Sequence, residues 1–485
     1  MKKLIFLITI LAAFATSCTK NFEDLNSDDK HATKVPGDYL FSNAQKSLGD
    51  QIASTNVNLN VFKLWAQYWT ETTYTDEANY DIVTRTIPDL TFRTFYRDIL
   101  SDLKEARRII SEEQPILETD ISAKQNRLYI IDLVEAYSYN YLLETFGDIP
   151  YTEALDIENI SPKYDDAKTV YLDLLSRIKT ATDGLNVDAA GFGEADVFFA
   201  GDVSMWKKFG NSLQIKMAIT LADVDEATAR QYIEAAAPGA FAEGEGAFMA
   251  YPGTSNATQN PLYLDMVASG RDDFVPANTI IDIMNNLNDP RRDNYFEANT
   301  EDSTYVGGVY GESSPFGQLS HVTSTIQTPT YPVDLLDYTE IQFYLAEAAE
   351  RGFTVEKTAE EYYNEGIRSS ILFWGGTEDD VTTYLAQPSV AYATAEGDWK
   401  QKIGTQAWLA FYNRGLEGYT IWRRLDAPTF NVPPAIENYN QIPLRFTYPV
   451  NEQTLNASNY AAASSAIGGD LLTTPLFWDI NQPGK

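Results

Sequence analysis

The chain has 485 residues, 44% of them hydrophobic and 13% aromatic, with 69 Asp and Glu against 36 Lys and Arg. A formal charge of −33 repels phosphate backbones and anionic lipid surfaces, so nucleic acid and bare anionic membranes are poor partners. The apolar content is that of a folded chain rather than a disordered one. Two histidines and one cysteine cannot supply a structural zinc site.

The first element is a leader. Met1-Lys2-Lys3, the uncharged run Leu4 to Ala15, and Thr16-Ser17 read as a secretory signal peptide over residues 1–17. Twelve residues are too few for a membrane span, which needs ~20. Cys18, the only cysteine, follows the cut. One cysteine in an oxidising compartment cannot form an internal disulfide. A thiol at this position is where bacterial lipoproteins receive diacylglycerol, so Cys18 is the expected lipid attachment site; Ala15 stands where such leaders most often carry Leu. Acyl chains contribute ~0.8 kcal/mol per buried CH₂, enough for several chains to anchor a soluble body. Residues 18–36, polar and rich in Asp and Asn, read as a lipidated tether, and residues 37–485 as a single helical domain. Losing Lys2 and Lys3 with the leader takes the charge from −33 to −35.

Helical periodicity dominates the chain after the tether. Tyr39 to Trp69 is expected to hold two helices, and Leu90 to Ile110 another, whose basic end "KEARR" suits a helix C-terminus. From Ala123 to Phe146, Leu128, Ile131, Val134, Tyr137 and Tyr141 recur at three- and four-residue steps, until Gly147 stops the helix and Pro150 forces an extended exit. Asp166 to Leu185 is a further amphipathic helix. After it, Trp206, Phe209, Leu213, Met217 and Leu221 form one stripe. Helices over Thr339–Gly352 and Thr358–Trp374 lie a few residues apart, and together approach the tetratricopeptide period of ~34 residues. Ala250 to Arg271 and Glu297 to Asp334 are rich in Gly, Ser, Thr, Asn and Pro. They read as long ordered loops, which in compact proteins often carry function. The fold class is all-α: tetratricopeptide-like helix pairs, long ligand-binding loops and little β structure.

Seven stretches resemble one family, in order along nearly the whole chain. They are "CTKNFEDLN" (Cys18–Asn26), "WAQYWTETTYTDEANYD" (Trp65–Asp81), "FGDIPYTEAL" (Phe146–Leu155), "DVFFAGDVSMWKKFGNSLQIKMA" (Asp196–Ala218), "NDPRR" (Asn288–Arg292), "GLEGYTIWRRLDAP" (Gly415–Pro428) and "IPLRFTYPVNEQTLN" (Ile442–Asn456). The chain thus resembles the SusD/RagB-like outer-membrane lipoproteins, in their SusD-like nutrient-binding branch, with Lys216 where Arg is commoner. The resemblance implies a cell-surface lipoprotein of the outer membrane. Such a protein caps a SusC-like TonB-dependent transporter and closes an oligosaccharide or peptide ligand into it. It implies no cofactor and no catalytic residue.

Several motifs have a purely structural reading. Gly147 caps a helix, Asp148 can accept freed amides, and Pro150 fixes the exit. Asn211-Ser212 ties helices together, Asp289-Pro290-Arg291 is a turn with an internal Arg–carboxylate bond, and Arg423-Arg424-Asp426 after an aromatic-rich helix is a paired charge network. Sugars present apolar CH faces flanked by hydroxyls, so aromatic side chains with a few polar groups are the expected contacts. Trp65, Tyr68 and Trp69 share helical spacing, so at least two belong to the core. The ligand-binding candidates are Trp69, Tyr74, Asp76, Asn79 and Tyr80, with Tyr305 and Tyr310 of the Gly/Ser-rich loop, where Phe316 also lies. Asn186, Asp188 and Glu194 bear some likeness to a calcium loop, but their spacing fails the EF-hand order. A loop-capping cluster explains them better, and no metal site is assigned.

Two other functions compete. An anchored glycoside hydrolase needs only two carboxylates, yet among 69 acids any pair is unspecific, and the repeated helix pairs of an all-α barrel are lacking. A serine hydrolase would have to use His321, and "GESSPFG" (Gly311–Gly317) has Pro315 where a nucleophile elbow needs Gly. "EGEG" (Glu243–Gly246) lacks the Lys of a phosphate loop. The third reading is a tetratricopeptide-like scaffold that binds protein alone.

Overall fold

The computed structural model describes residues 35–299, 303–436 and 441–480. The leader 1–17, Cys18, His31 and nearly all of the tether lie outside the described residues. Ten principal helices, α1 to α10, run in chain order: α1 Gly37–Ala53, α2 Ser101–Glu112, α3 Glu118–Phe146, α4 Ala167–Gly184, α5 Val203–Thr220, α6 Glu226–Ala236, α7 Tyr338–Glu350, α8 Ala359–Phe373, α9 Trp399–Ala410 and α10 Gly415–Leu425. The described strands are short and antiparallel: β1 Trp69–Glu71 pairs with β3 Phe274–Pro276, β2 Gly246–Met249 with β6 Val333–Asp337, and β4 Phe296–Glu297 with β5 His321–Val322. The fold is all-α with tetratricopeptide-like helix pairs, as the periodicity predicts.

Local chemistry sets the helix ends. Asp166, Asp202, Asp225 and Asp337 each accept a backbone N–H in the first turn of α4, α5, α6 and α7. Thr358 with Glu361, and Asp398 with Gln401, form reciprocal capping boxes at α8 and α9. Gly147, at φ +82°, ends α3. The Asp148 carboxylate then accepts the Ala167 N–H at 2.8 Å, tying that end to the start of α4. Two segments depart from expectation. The second helix within Tyr39–Trp69 is a single turn, Phe62–Trp65, that runs into β1. The predicted Leu90–Ile110 helix is three consecutive stretches, Ile87–Arg93, a π-helical Thr94–Leu100, and α2.

Consecutive helices pack as neighbours: α3 on α4, α4 on α5, α5 on α6, α7 on α8, α9 on α10. Gly366 makes the α7–α8 approach possible, since a Cβ there would lie 2.9 Å from the Phe343 ring. Asn211 donates to Gly239 O, and the Ser212 hydroxyl accepts the Phe241 N–H, so this pair does tie α5 to the next segment. Arg423 and Arg424 lie inside α10 rather than after it. Arg424 pairs with Glu347 at 2.7 Å, while Arg423 donates to the carbonyls of Glu144 and Leu444. Asp426, at φ +54°, ends that helix. Arg291 and Asp289 form the expected internal bond at 2.6 Å, both side chains fully buried. Buried apolar side chains form one continuous cluster from Phe41 to Leu472.

One asparagine organises the loop after α4. Asn126, on α3, donates to the carbonyls of Asn186, Ala189 and Ala190 and accepts the Asn186 N–H. Among the described residues no group of three His, Cys, Asp or Glu is placed to hold a metal.

Candidate ligand cleft

The two-stranded sheet β1–β3 gathers three chain segments on one surface. Its register sets Trp69 opposite Pro276, Thr70 opposite Val275 and Glu71 opposite Phe274. Thr72 extends the ladder by donating to Asp273 O at 2.9 Å. The Gly/Ser-rich loop docks on the same strand: Gly311 N–H donates to Thr70 Oγ1, and Ser314 N–H and Ser313 Oγ both donate to Thr72 O. Gly308 lets it come this close, because a Cβ there would meet Ser314 Oγ at 2.5 Å and Thr70 Cγ2 at 2.8 Å. Asn79 holds the first loop to the second by donating to Thr75 O and Gly311 O, both at 2.7 Å, and its Oδ1 accepts the Ala435 N–H.

Beside this sheet opens a cleft of about 290 Å³, walled by Asn56 and Asn58, by Glu71, Tyr74 and Arg85, and by Asp265, Arg271 and Asp273, with no residue of the Gly/Ser-rich loop in its lining. Tyr74 is 64% exposed. Both guanidinium groups in the wall are paired. Arg271 meets Asp273 at 2.6 Å, and Arg85 meets Asp76 at 3.1 Å and Glu77 at 3.0 Å. Asp265 accepts hydrogen bonds from Ser54 and Thr55, and burial pushes its carboxyl above the usual range. The cleft therefore offers hydrogen-bonding groups and the exposed Tyr74 ring, with no unpaired guanidinium in its wall.

The candidate aromatics divide. Tyr74 is at the cleft and open to solvent, and Asp76 is exposed beside it, holding Arg85. Asn79 is half-buried and serves the loop. Trp69, Tyr80 and Tyr310 are only 1–2% exposed, which corrects their reading as contacts. Trp69 lies against Phe274 and donates its indole N–H to Tyr412 at 2.9 Å. Tyr80 packs on Trp65 and on Tyr310, whose hydroxyl donates to Leu64 O. These rings have no free face to offer a sugar. Tyr305 is half-buried with the Arg292 guanidinium 4.3 Å over its ring, and Phe316 stacks on His321 at 3.9 Å. Sequence reasoning misses Asn58, Arg85, Arg271 and Asp273. Their one signal is a charged run, Arg271-Asp272-Asp273, directly after a Ser-Gly turn.

A larger groove, about 880 Å³, lies elsewhere, between the turn at Gly147-Asp148, the start of α4, and the helix Ala457–Ala466. Lys163, Tyr164, Arg445 and Phe477 contribute to its walls.

Residues 29–449 match the family described as "Starch-binding associating with outer membrane". The chain belongs to the SusD-like family. No curated protein matches it in sequence. Among solved structures, this SusD-like chain is similar to a chitin-binding protein with a TM-score of 0.79 and 22% identity, over 92% of this chain and 100% of that one. It is likewise similar to a chitin-binding SusD homolog from Flavobacterium johnsoniae, with a TM-score of 0.77, 19% identity, and 92% and 99% coverage. A SusD homolog from Bacteroides uniformis matches at a TM-score of 0.77 and 24% identity, over 91% and 99%. At these identities the likeness establishes the fold.

Proposed function

We propose that the protein is a cell-surface glycan-binding lipoprotein, anchored in the outer membrane through Cys18, that captures a neutral oligosaccharide and closes it into a SusC-like TonB-dependent transporter without cleaving it. The observation that carries this reading is the exposed ring of Tyr74 at the mouth of a polar cleft whose guanidinium groups are already paired. A flat ring with hydrogen-bonding groups around it suits the CH face and hydroxyls of a sugar. A wall with no unpaired guanidinium, in a chain of net charge −33, disfavours uronate and sulfated chains. The family description supports a carbohydrate, and the chitin-binding relatives make N-acetylated sugars the first class to try.

The partnership is tested by capturing the full-length, C-terminally tagged protein from native outer membranes in mild detergent, with mass spectrometry of what accompanies it. A stoichiometric TonB-dependent barrel is the expected result. Recovery of the lipidated protein alone would remove the lid from this reading.

A further inference from the structure

The groove of about 880 Å³ between the Gly147-Asp148 turn, the start of α4 and the helix Ala457–Ala466 shares no lining residue with the Tyr74 cleft. Ala462, Ala463 and Ala466 present only methyl groups to it, and Ile467, Leu476 and Phe477 continue the apolar surface. Its aromatic rings are engaged elsewhere. Phe146 is wholly buried, and Phe477 lies 5.5 Å from Tyr171. Tyr164 packs edge-on against Tyr448 and donates its hydroxyl to Glu452. No ring here is exposed as Tyr74 is, so the surface suits aliphatic side chains better than the CH face of a sugar.

The charged groups of the wall are unequal. Asp148 accepts the Ala167 N–H at 2.8 Å, and Asp166 accepts the Thr169 N–H at 2.8 Å and its hydroxyl at 2.6 Å. Neither carboxylate has a cation within bonding distance among the described residues. Asp479, also in the wall, faces Arg423. Of the two cations, Lys163 leans toward Asp165 and Glu153 at 3.6 and 3.8 Å, and Arg445 is bound by Asp470 at 2.7 Å. The balance is acidic.

Arg445 adds an independent signal. It is 1% exposed, its Nε donates to Phe146 O at 2.9 Å, and its Nη2 has no hydrogen-bond partner. A buried donor in the wall of a groove calls for an acceptor, since leaving it unmade costs about 1–3 kcal/mol. Size decides the kind of occupant. The volume lies within the ~300–1,000 Å³ of ligand pockets, which suits a short chain rather than the ~800 Å² face of a folded partner.

We propose that this groove binds a short extended peptide of aliphatic and basic residues, with its side chains on the alanine face, its cation toward Asp148 and Asp166, and a backbone carbonyl for Arg445. The site is independent of glycan capture at Tyr74, because the two openings share neither residues nor chemistry.

Calorimetry of the full chain with an end-blocked pentapeptide of alternating leucine and lysine, beside its leucine–glutamate counterpart, tests this. The lysine peptide is expected to bind, more weakly as salt rises, and the glutamate peptide not to bind. Asp166→Asn, which keeps an acceptor at the start of α4, is expected to weaken the lysine peptide about two- to fivefold. Ala462→Trp, at an exposed position, fills the groove and is expected to weaken it at least about tenfold at unchanged melting temperature. Tyr74→Ala is expected to change nothing. Absence of binding, equal binding of the glutamate peptide, or full affinity in Ala462→Trp would overturn the proposal. So would loss of binding in Tyr74→Ala, or displacement of the peptide by an N-acetylated oligosaccharide, since either would assign the peptide to the glycan site. If Ala462→Trp does not fold, Asp166→Asn and the comparison of the two peptides decide.

Discussion

Lys216 Nζ lies 2.7 Å from the Glu340 carboxylate, deep between α5 and α7, with both side chains almost wholly buried. Glu417 of α10 is 3.2 Å from the same ammonium, and Arg414 holds the far side of Glu340 at 2.6 Å. One polar knot thus joins four elements, since Arg414 also bonds Asp337 at the end of β6. Burial works against the Lys216 charge, yet the surrounding carboxylates, Glu340 first, hold its pKa well above the ordinary value.

Removing that ammonium leaves Glu417 buried without its ion-pair partner and Glu340 with Arg414 alone. Lys216→Ala is expected to lower stability by about 3–5 kcal/mol, the usual effect of breaking one side of a buried pair. Lys216→Arg keeps the charge and is expected to lose far less. Urea unfolding followed by circular dichroism measures both, and a loss below ~1 kcal/mol for the alanine variant would contradict the account.

Lys63 is the opposite case. It is buried beside Trp69 with its ammonium 3.5 Å from Ala53 O, and no ion pair within bonding distance is seen among the described residues. Burial pulls its pKa from 10.5 down to about 8, against the charges of Asp265 and Glu417. The folded protein therefore sheds this proton before the unfolded chain does, and stability gains from it between pH 8 and 10.5. Lys63→Met is expected to be at least as stable as the native protein at pH 7. The native-minus-variant difference in melting temperature should rise toward the native protein above pH 8.

Trp69, Tyr80 and Tyr310 act as core. Trp69→Ala is expected to reduce stability by about 3–5 kcal/mol, the range for deleting a large buried aromatic. Tyr310→Phe, which removes only the hydroxyl bonded to Leu64 O, is expected to lose about 1–2 kcal/mol. Thermal unfolding separates these from Tyr74, whose removal is expected to leave the melting temperature within about a degree.

Asn126 organises the 186–190 loop with four hydrogen bonds. Asn126→Ala removes all four of these bonds from a largely exposed loop and is expected to cost about 2 kcal/mol. Faster exchange at the Asn186 amide, with α7 unaffected, would locate the loss.

Much of this architecture is legible in the residues themselves. Gly147 marks the end of α3, and the Thr358–Glu361 box marks the start of α8, because each signal is local. The Asp289–Arg291 bond spans two residues and is readable for the same reason. The cleft is not. The polar text around Tyr74 to Tyr80 correctly indicates a loop, but it cannot show that Tyr80, at φ +67°, turns its ring inward onto Trp65 while Tyr74 points out. Nor can it show that Arg271 and Asp273, about 200 residues away, form the opposite wall. Strand β1 hides Trp69 for a related reason: all three of its residues are buried, so the usual alternation of inward and outward side chains gives no cue.

The central claim, that the cleft at Tyr74 holds a glycan, is tested most directly by a glycan array of neutral, N-acetylated and acidic oligosaccharides, followed by calorimetry of the native protein and Tyr74→Ala. The account predicts binding to a neutral or N-acetylated chain and at least a tenfold weaker affinity in the variant, about 1.4 kcal/mol, at unchanged melting temperature. Equal affinity in the two proteins, or binding confined to polyanionic chains, would contradict it.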